Sequence, residues 1–384
     1  MDFDLSDEQR LLKDSARRFV AERCSFDAWR QAQQQGSPSL GDRLWPVFAD
    51  MGWLQLPFAA DDGGLEGGPI DTTLLVQEMG RGLVAAGYVE SVVWAGSMLR
   101  MGDRGPHRAS RLASLMSGER RPAVAHSEPQ HRFSLETAST QARRVADGWI
   151  LEGHKPCVIT GDRAQALIVS AHSPQGLSLF WVETDAPGVH RGRIPTVDSV
   201  GAADVHLQSV AVGPDSLIGE PGQGAALLKR AADQYLAAMG AEAVGLMDLL
   251  LELTVSYTGQ RQQFGQPVAR FQALRHRMVD MFMEVEKTRS LLMLATIRLA
   301  EGHPDAPRAL SALKVQLGKG GRWVSQQAVQ LHGGMGMSDE IAVGHAFKRL
   351  MVLDAQLGNV DHHLRRVSDL AGPKNRPVAP PLAT

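Results

Sequence analysis

In RQQFGQPVARFQALRHRMVDM, residues 261–281, a helical pattern is interrupted at Gly265 and Pro267 and then resumes. A turn between helices needs only the Gly, which frees the backbone, and the Pro, which fixes φ and removes a donor. Arg261, Phe264 and Gln272 around that corner are extra groups. A guanidinium, an amide and an aromatic ring would hold an anionic ligand that carries a planar heterocycle. The Arg would take a diphosphate, the amide a ring or ribose edge, and the Phe the flat group. A second segment, HGGMGMSDE at 332–340, follows Gln330 and drops its side chains at Gly333 and Gly334, so backbone there can approach something closely. Glycines alone would read as a plain turn. The Gln330 amide and the first corner turn the reading toward a ligand.

Other patterns carry no such chemistry. GEPGQG at 219–224 lacks both the strand-GxGxxG-helix context and the Lys-Ser/Thr of a phosphate loop, so it reads as a turn. His332, His345, His362 and His363 have no HExxH or carboxylate spacing, and helix neighbours point about 100° apart. No metal ligand set is expected. Cys24 and Cys157 are far apart with no second thiol nearby, which argues against both a disulfide framework and a zinc site.

The elements that would position these residues separate by period. The chain has 384 residues, 43% hydrophobic and 21% charged, with a formal net charge of −2. That composition excludes a largely disordered chain and offers no basic field for nucleic acid or an anionic membrane. The first residues are acidic where a signal peptide is basic, and no run approaches a membrane-spanning length, so a cytoplasmic enzyme is expected. Ser6 and Gln9 form the signature of a capping box ahead of a helix. Helical spacing continues to LASLMSGE, giving a helical domain over 1–118. Short β-rich runs such as AVAHSEP, ALIVSAH, LSLFWVE and VHLQSVAV, divided by Gly, Pro and Asp, predict an antiparallel β-barrel over 119–217. Four long helical segments over 218–372, broken at RQQFGQP, EGHPDAP and HGGMGMSD, predict a four-helix bundle. A Pro-rich tail over 373–384 is expected to be loose. The fold class is thus α+β.

Both ligand-bearing segments, YTGQRQQFGQPVARFQALRHRMVDM and QQAVQLHGGMGMSDE, resemble the two signature segments of the flavin-dependent acyl-CoA dehydrogenase family. That family has the same succession of helical domain, β-barrel and four-helix bundle, so the resemblance spans nearly the whole chain. AHSEP at 125–129 and DVHLQSVAVGPDSLIGEPGQG lend weaker support. The resemblance implies FAD as cofactor. It implies that Arg261, Phe264 and Gln272 contact the diphosphate region of an FAD whose ring lies in a neighbouring subunit. It further implies Gln330, Gly333 and Gly334 on the adenine side of that FAD, and Ser127 on the flavin ring. An acyl-CoA substrate, an electron-transfer flavoprotein as acceptor and an oligomer follow from the same source.

The pattern fails where the family keeps its base. The family removes the α-proton of an acyl thioester with a Glu that precedes a Gly. In AQLGNVDHHLRR, Leu357 stands in its place. The position of a minority base on the first bundle helix falls at Tyr235, whose ordinary pKa near 10 suits a base poorly. Glu242 and Asp354 are the displaced-base candidates in a self-sufficient homo-oligomer. On the barrel, EPQHRFS replaces EPGAGSD, the tryptophan of KxWITN is missing from KPCVITG, and the Thr160 hydroxyl is shifted by one position. The half of the site offered to a neighbour's FAD is intact, and the half offered to a flavin ring is eroded. This asymmetry resembles the base-poor, small subunit of family members that work as two unlike chains. The alternatives are the homo-oligomer and a non-enzymatic CoA-thioester or flavin binding protein.

Overall fold

The computed structural model describes residues 4–35, 39–84 and 86–372. The tail expected over 373–384 lies outside them. Six helices open the chain: α1 (Asp7–Arg23), α2 (Phe26–Gln35), α3 (Leu40–Asp50), α4 (Pro69–Arg81), α5 (Gly96–Gly102) and α6 (Arg108–Met116). The Ser6 hydroxyl accepts from the Gln9 amide N–H at 3.2 Å, and the Gln9 side chain accepts from the Ser6 N–H at 3.1 Å. The capping box therefore starts α1 as the sequence indicates. Leading into α5 the backbone winds as a π-helix over Val89–Ala95, all of it buried. Such insertions gather at functional sites, and Glu90 and Trp94 both lie on this one.

The middle of the chain is a sheet of β1 (Pro122–Ala125), β2 (Gln141–Val145), β3 (Gly148–Ile159), β4 (Ala166–Ser173), β5 (Gly176–Glu183), β6 (Val189–Ile194), β7 (Ala202–Val212) and β8 (Leu217–Ile218). The strands run in the order β6-β7-β3-β2-β4-β5-β8, with β1 beside β4. The expected antiparallel barrel differs in two respects. β1 and β2 both pair with β4 in parallel, and among the described residues the strand path has ends at β6 and β8. Hydrophobic alternation marks where strands lie, whereas the connections set their direction. Trp149, Leu151, Leu167, Phe180 and Val205 fill a core belonging to this sheet alone.

The rest is helical: α7 (Gly224–Gln260), α8 (Gln272–Ala300), α9 (Ala306–Gln316), α10 (Arg322–His332), α11 (Ala342–Ala355) and α12 (Val360–Leu370). A second π-helical turn, Leu317–Gly321, joins α9 to α10, so the three breaks read from the sequence fall where expected. A fourth does not: the last segment divides at 356–359, the stretch that contains Leu357. α7 is tied closely to the first helices. A Cβ added at Gly245 would lie 2.0 Å from the Gln77 carbonyl oxygen, and one at Gly80 would lie 2.3 Å from that of Glu242. The two backbones meet at distances only glycine permits. One core unites these layers, with Trp45, Phe58, Leu75 and Met98 from the first helices and Met239, Met247, Val285 and Leu310 from the bundle. No described helix is long and apolar enough to cross a membrane.

Candidate functional site

A cavity of about 510 Å³ opens between the end of β1, the π-helical turn, α7 and the corner between α11 and α12. Its wall on the sheet side is set by two anchored residues. Burial pushes the His126 imidazole down to about 4, so it is neutral at pH 7. Its Nε2–H donates to the Ser134 carbonyl at 2.7 Å, and its Nδ1 accepts from the Ser170 hydroxyl at 2.8 Å. Against the upward push of burial, hydrogen bonds from Lys155 and Thr140 hold the Glu128 carboxyl at about 2. Lys155 Nζ reaches Glu128 at 2.8 Å, while burial brings that ammonium down to about 8. Ser127, which the resemblance sets on the flavin ring, lies between these fixed neighbours and lines the cavity.

The opposite wall carries Leu357, which the family resemblance sets at the base position. Leu357 lines the cavity with φ +52°, a left-handed conformation uncommon outside glycine, and Gly358 follows at φ +112°. The corner is fixed from both sides. The Asn359 side chain accepts from the His362 N–H at 3.1 Å and caps α12, and His363 Nε2 donates to the Leu357 carbonyl at 3.1 Å. Backbone strain held in place by its surroundings is characteristic of working sites. Tyr235 stacks on Trp94 with centroids 4.8 Å apart and donates from its hydroxyl to Gln356 Oε1 at 2.9 Å. Burial, followed by the Glu90 charge, raises the Tyr235 phenol well above its ordinary range, which removes it as a base.

Neither displaced-base candidate reaches the cavity. Glu242 grips Arg349 with both oxygens, at 2.6 and 2.9 Å. Asp354 accepts from Arg322 at 2.9 Å. Arg349 is buried at the meeting of all three regions, for it also donates to Asp198 at 2.8 Å and to Glu90 at 3.3 Å. Glu90, Asp198 and Glu242 come from the π-helical turn, the β6–β7 loop and α7. Burial raises the Glu90 carboxyl. At Asp198 burial pushes hardest and in the same direction, but the Arg349 charge together with hydrogen bonds from Thr196, Arg349 and the Val200 N–H outweighs it, and the carboxyl is lowered. No Asp or Glu stands among the described residues lining the cavity.

The bundle corner forms a separate cluster. Gln262–Gln263 pairs with Gln266–Pro267 around Phe264 at φ +53° and Gly265 at φ +78°. Two left-handed residues in succession make a type I′ hairpin, so Pro267 belongs to the hairpin and does not itself break the helix. Phe264 is 91% exposed, edge-on to Phe271 at 6.0 Å. Arg261 caps α7 through its N–H to the Tyr257 carbonyl at 2.8 Å. The Tyr257 ring stacks on His332 at 4.5 Å, which joins this corner to the glycines that follow His332. Gln272 opens α8, and Gln330 is exposed on the last turn of α10. A Cβ at Gly333 or Gly334 would meet nothing within 4 Å. The Tyr257–His332 stack therefore brings the two signature segments to one corner, a candidate cradle at which Arg261, Phe264, Gly333 and Gly334 are exposed. At 1.5 Å per residue along the continuous α7, Arg261 lies roughly 39 Å from Tyr235. That is further than one flavin dinucleotide reaches.

Sequence reasoning missed Trp94, Gln356 and Arg349. Trp94 sits on a π-helix, which a 3.6-residue pattern does not announce, and nothing next to Arg349 in the sequence marks it as buried among distant acids. Thr160 follows the lining residue Ile159 without lining the cavity itself; its φ is +60° and its hydroxyl donates to the Ile159 carbonyl at 2.6 Å. Arg132 and Phe133, from the stretch that departs from the family pattern, add bulk to the wall. A larger cavity of about 630 Å³ lies beside α6, where both lining arginines are already paired, Arg111 with Asp103 and Arg120 with Glu183.

Comparison with known proteins agrees with this geometry. Residues 6–119, 123–210 and 222–370 match the N-terminal, middle and C-terminal domains of acyl-CoA dehydrogenase. Benzylmalonyl-CoA dehydrogenase of Aromatoleum aromaticum is 30% identical over 304 residues, covering 76% of this chain and 79% of that protein. The ChsE4-ChsE5 complex from Mycobacterium tuberculosis aligns with a TM-score of 0.88 at 25% identity, covering 98% of this chain and 100% of that one. PigA with FAD and proline aligns with a TM-score of 0.90 at 24% identity, covering 97% of this chain and 100% of that one. The chain belongs to the acyl-CoA dehydrogenase family, flavoprotein oxidoreductases with FAD as their cofactor.

Proposed function

We propose that this chain is the base-poor subunit of a two-chain acyl-CoA dehydrogenase that forms an α,β double bond in an acyl-CoA thioester. The observation that carries the reading is the cavity wall. It has the volume for an acyl group and a flat ring, and Leu357 at the base position, but no lining carboxylate. Bound FAD supplies a hydride acceptor. Proton removal from a thioester α-carbon at neutral pH requires a carboxylate poised in a dry pocket, and in this reading the unlike partner provides it. The likeness to the two-protein ChsE4-ChsE5 complex supports that arrangement. The electron acceptor of the pair is an electron-transfer flavoprotein.

Each residue of the bundle corner has a task toward the partner's cofactor. Arg261 meets the diphosphate, Phe264 covers a flat face, Gln272 and Gln330 hydrogen-bond to polar edges, and Gly333 and Gly334 let backbone come close. Ser127 faces the ring held on the sheet side. The separation along α7 supports assembly, since the two halves serve different FAD molecules.

Arg261→Ala is expected to reduce FAD content sharply. Losing one charge-assisted bond costs about 1.5–3 kcal/mol, roughly ten- to a hundredfold in affinity. Gly334→Val should also lower it without unfolding the chain, because the added side chain meets open space within the fold. Flavin absorbance per polypeptide in the purified assembly measures both, and wild-type flavin content in both variants would contradict the assigned cradle. The pairing is tested first by whether a neighbouring gene encodes a second dehydrogenase-like chain with Glu at the Leu357 position, and then by copurification with that chain. An acyl-CoA bound by the purified assembly with no turnover would favour a binding protein instead.

A further inference from the structure

On the outer face of the sheet, three of the chain's 13 histidines fall into one row across three strands. His190 on β6 is opposite His206 on β7, and His206 is opposite His154 on β3. Asp204 lies two residues before His206 on the same face, because side chains two apart on a strand point the same way. We propose that His154, Asp204 and His206 bind one divalent transition-metal ion of the zinc, nickel, cobalt and copper class.

The geometry has the features such an ion requires. Each residue offers one ligand atom, and the three atoms lie within 4.8 Å of one another. His154 Nε2 is 2.5 Å from one Asp204 oxygen, and His206 Nε2 is 3.3 Å from the other. Both imidazoles therefore present the same nitrogen to the same point. The rings are parallel within 9°, with centroids 4.0 Å apart, which fixes both nitrogens on one side of the stack. Ligands about 2.0–2.1 Å from a common ion have spacings of this order. Two imidazoles with one carboxylate suit borderline ions and not magnesium or calcium, which prefer oxygen.

The surroundings leave the ion accessible. The three side chains are between 38% and 47% exposed, so the remaining positions face solvent. Opposite Asp204 on β6 is Gly192, which places no side chain over the carboxylate. His190 stands next in the row, so a third imidazole adjoins the open side. In the absence of metal the set holds itself together through the hydrogen bonds to Asp204, and the His154 bond is the main cause that lowers the Asp204 carboxyl. The sequence concealed this group because its members lie on different strands. HKP at 154 and DVH at 204–206 carry no spacing that reads as a metal motif.

Equilibrium dialysis of the tag-free, metal-stripped full-length protein against zinc, with cobalt as a spectroscopic substitute, tests the proposal. We expect one ion per chain, with the absorption bands of cobalt held by nitrogen and oxygen ligands. His206→Ala should weaken binding at least tenfold, beyond the lower bound for losing only a supporting residue, and Asp204→Asn should weaken it in the same direction. His172→Ala, an exposed histidine on β4 outside the cluster, serves as the control. Circular dichroism shows that the variants are folded. Absence of stoichiometric binding at micromolar zinc would overturn the proposal, as would binding that His206→Ala leaves unchanged or that His172→Ala weakens equally.

Discussion

Replacing Arg349 by Ala will destabilise the fold by about 3–5 kcal/mol, the usual loss when one partner of a buried ion pair is removed. Three carboxylates, Glu90, Asp198 and Glu242, would then remain buried around one point with no counter-charge. Against a typical total of about 5–15 kcal/mol, that is a large share of the stability. Denaturant unfolding at neutral pH measures it, and a loss under about 1 kcal/mol would show that the cluster is hydrated and not a true buried network. Glu90→Gln should act in the opposite direction. The folded carboxyl of Glu90 is raised by burial, so its contribution is present below the ordinary carboxylate range and is lost as pH rises through the raised value. The amide keeps the shape without that liability. The variant should therefore match wild type in mild acid and exceed it at neutral and higher pH.

Leu357→Glu will place a carboxylate on the cavity wall, because the corner is held by Asn359 and His363 through bonds that do not involve the Leu357 side chain. General-base catalysis typically contributes 10²- to 10⁴-fold. In the isolated chain we expect only a small part of that factor to return, since Arg132, Phe133 and Cys157 have altered the wall that a ring would lie against. Turnover of butyryl-CoA and octanoyl-CoA by wild type and variant is the comparison. Full recovery in the variant would show that the sheet side is competent, and that Leu357 is the only lesion.

How much of this was legible in the sequence depends on the range over which each signal acts. The Ser6–Gln9 capping box and the three helix breaks of the bundle are local, and each has its own residues. The type I′ hairpin was half visible: Gly265 marks a turn, but a bulky Phe264 in the left-handed region is disfavoured and would not be guessed. The corner at Leu357 was hidden, because Gly358 and Asn359 are weak breakers in a strongly amphipathic stretch. The π-helix carrying Glu90 and Trp94 has no sequence period of its own. The burial of Arg349 depends on acids from three distant segments, and only the folded chain brings them together. The same holds for the parallel pairings of β1 and β2 with β4, which follow from the connections between strands.

The central claim is that this chain binds FAD but cannot remove the substrate proton alone. Anaerobic mixing with an acyl-CoA, followed by the loss of oxidised-flavin absorbance, tests it most directly. The FAD-loaded chain should be mixed with butyryl-CoA, octanoyl-CoA and a steroid side-chain thioester, with and without a second acyl-CoA dehydrogenase-like chain that carries Glu at the position of Leu357. The account predicts no bleaching by the chain alone and stoichiometric bleaching once the partner is present. Rapid, complete bleaching by the isolated wild-type chain would contradict it.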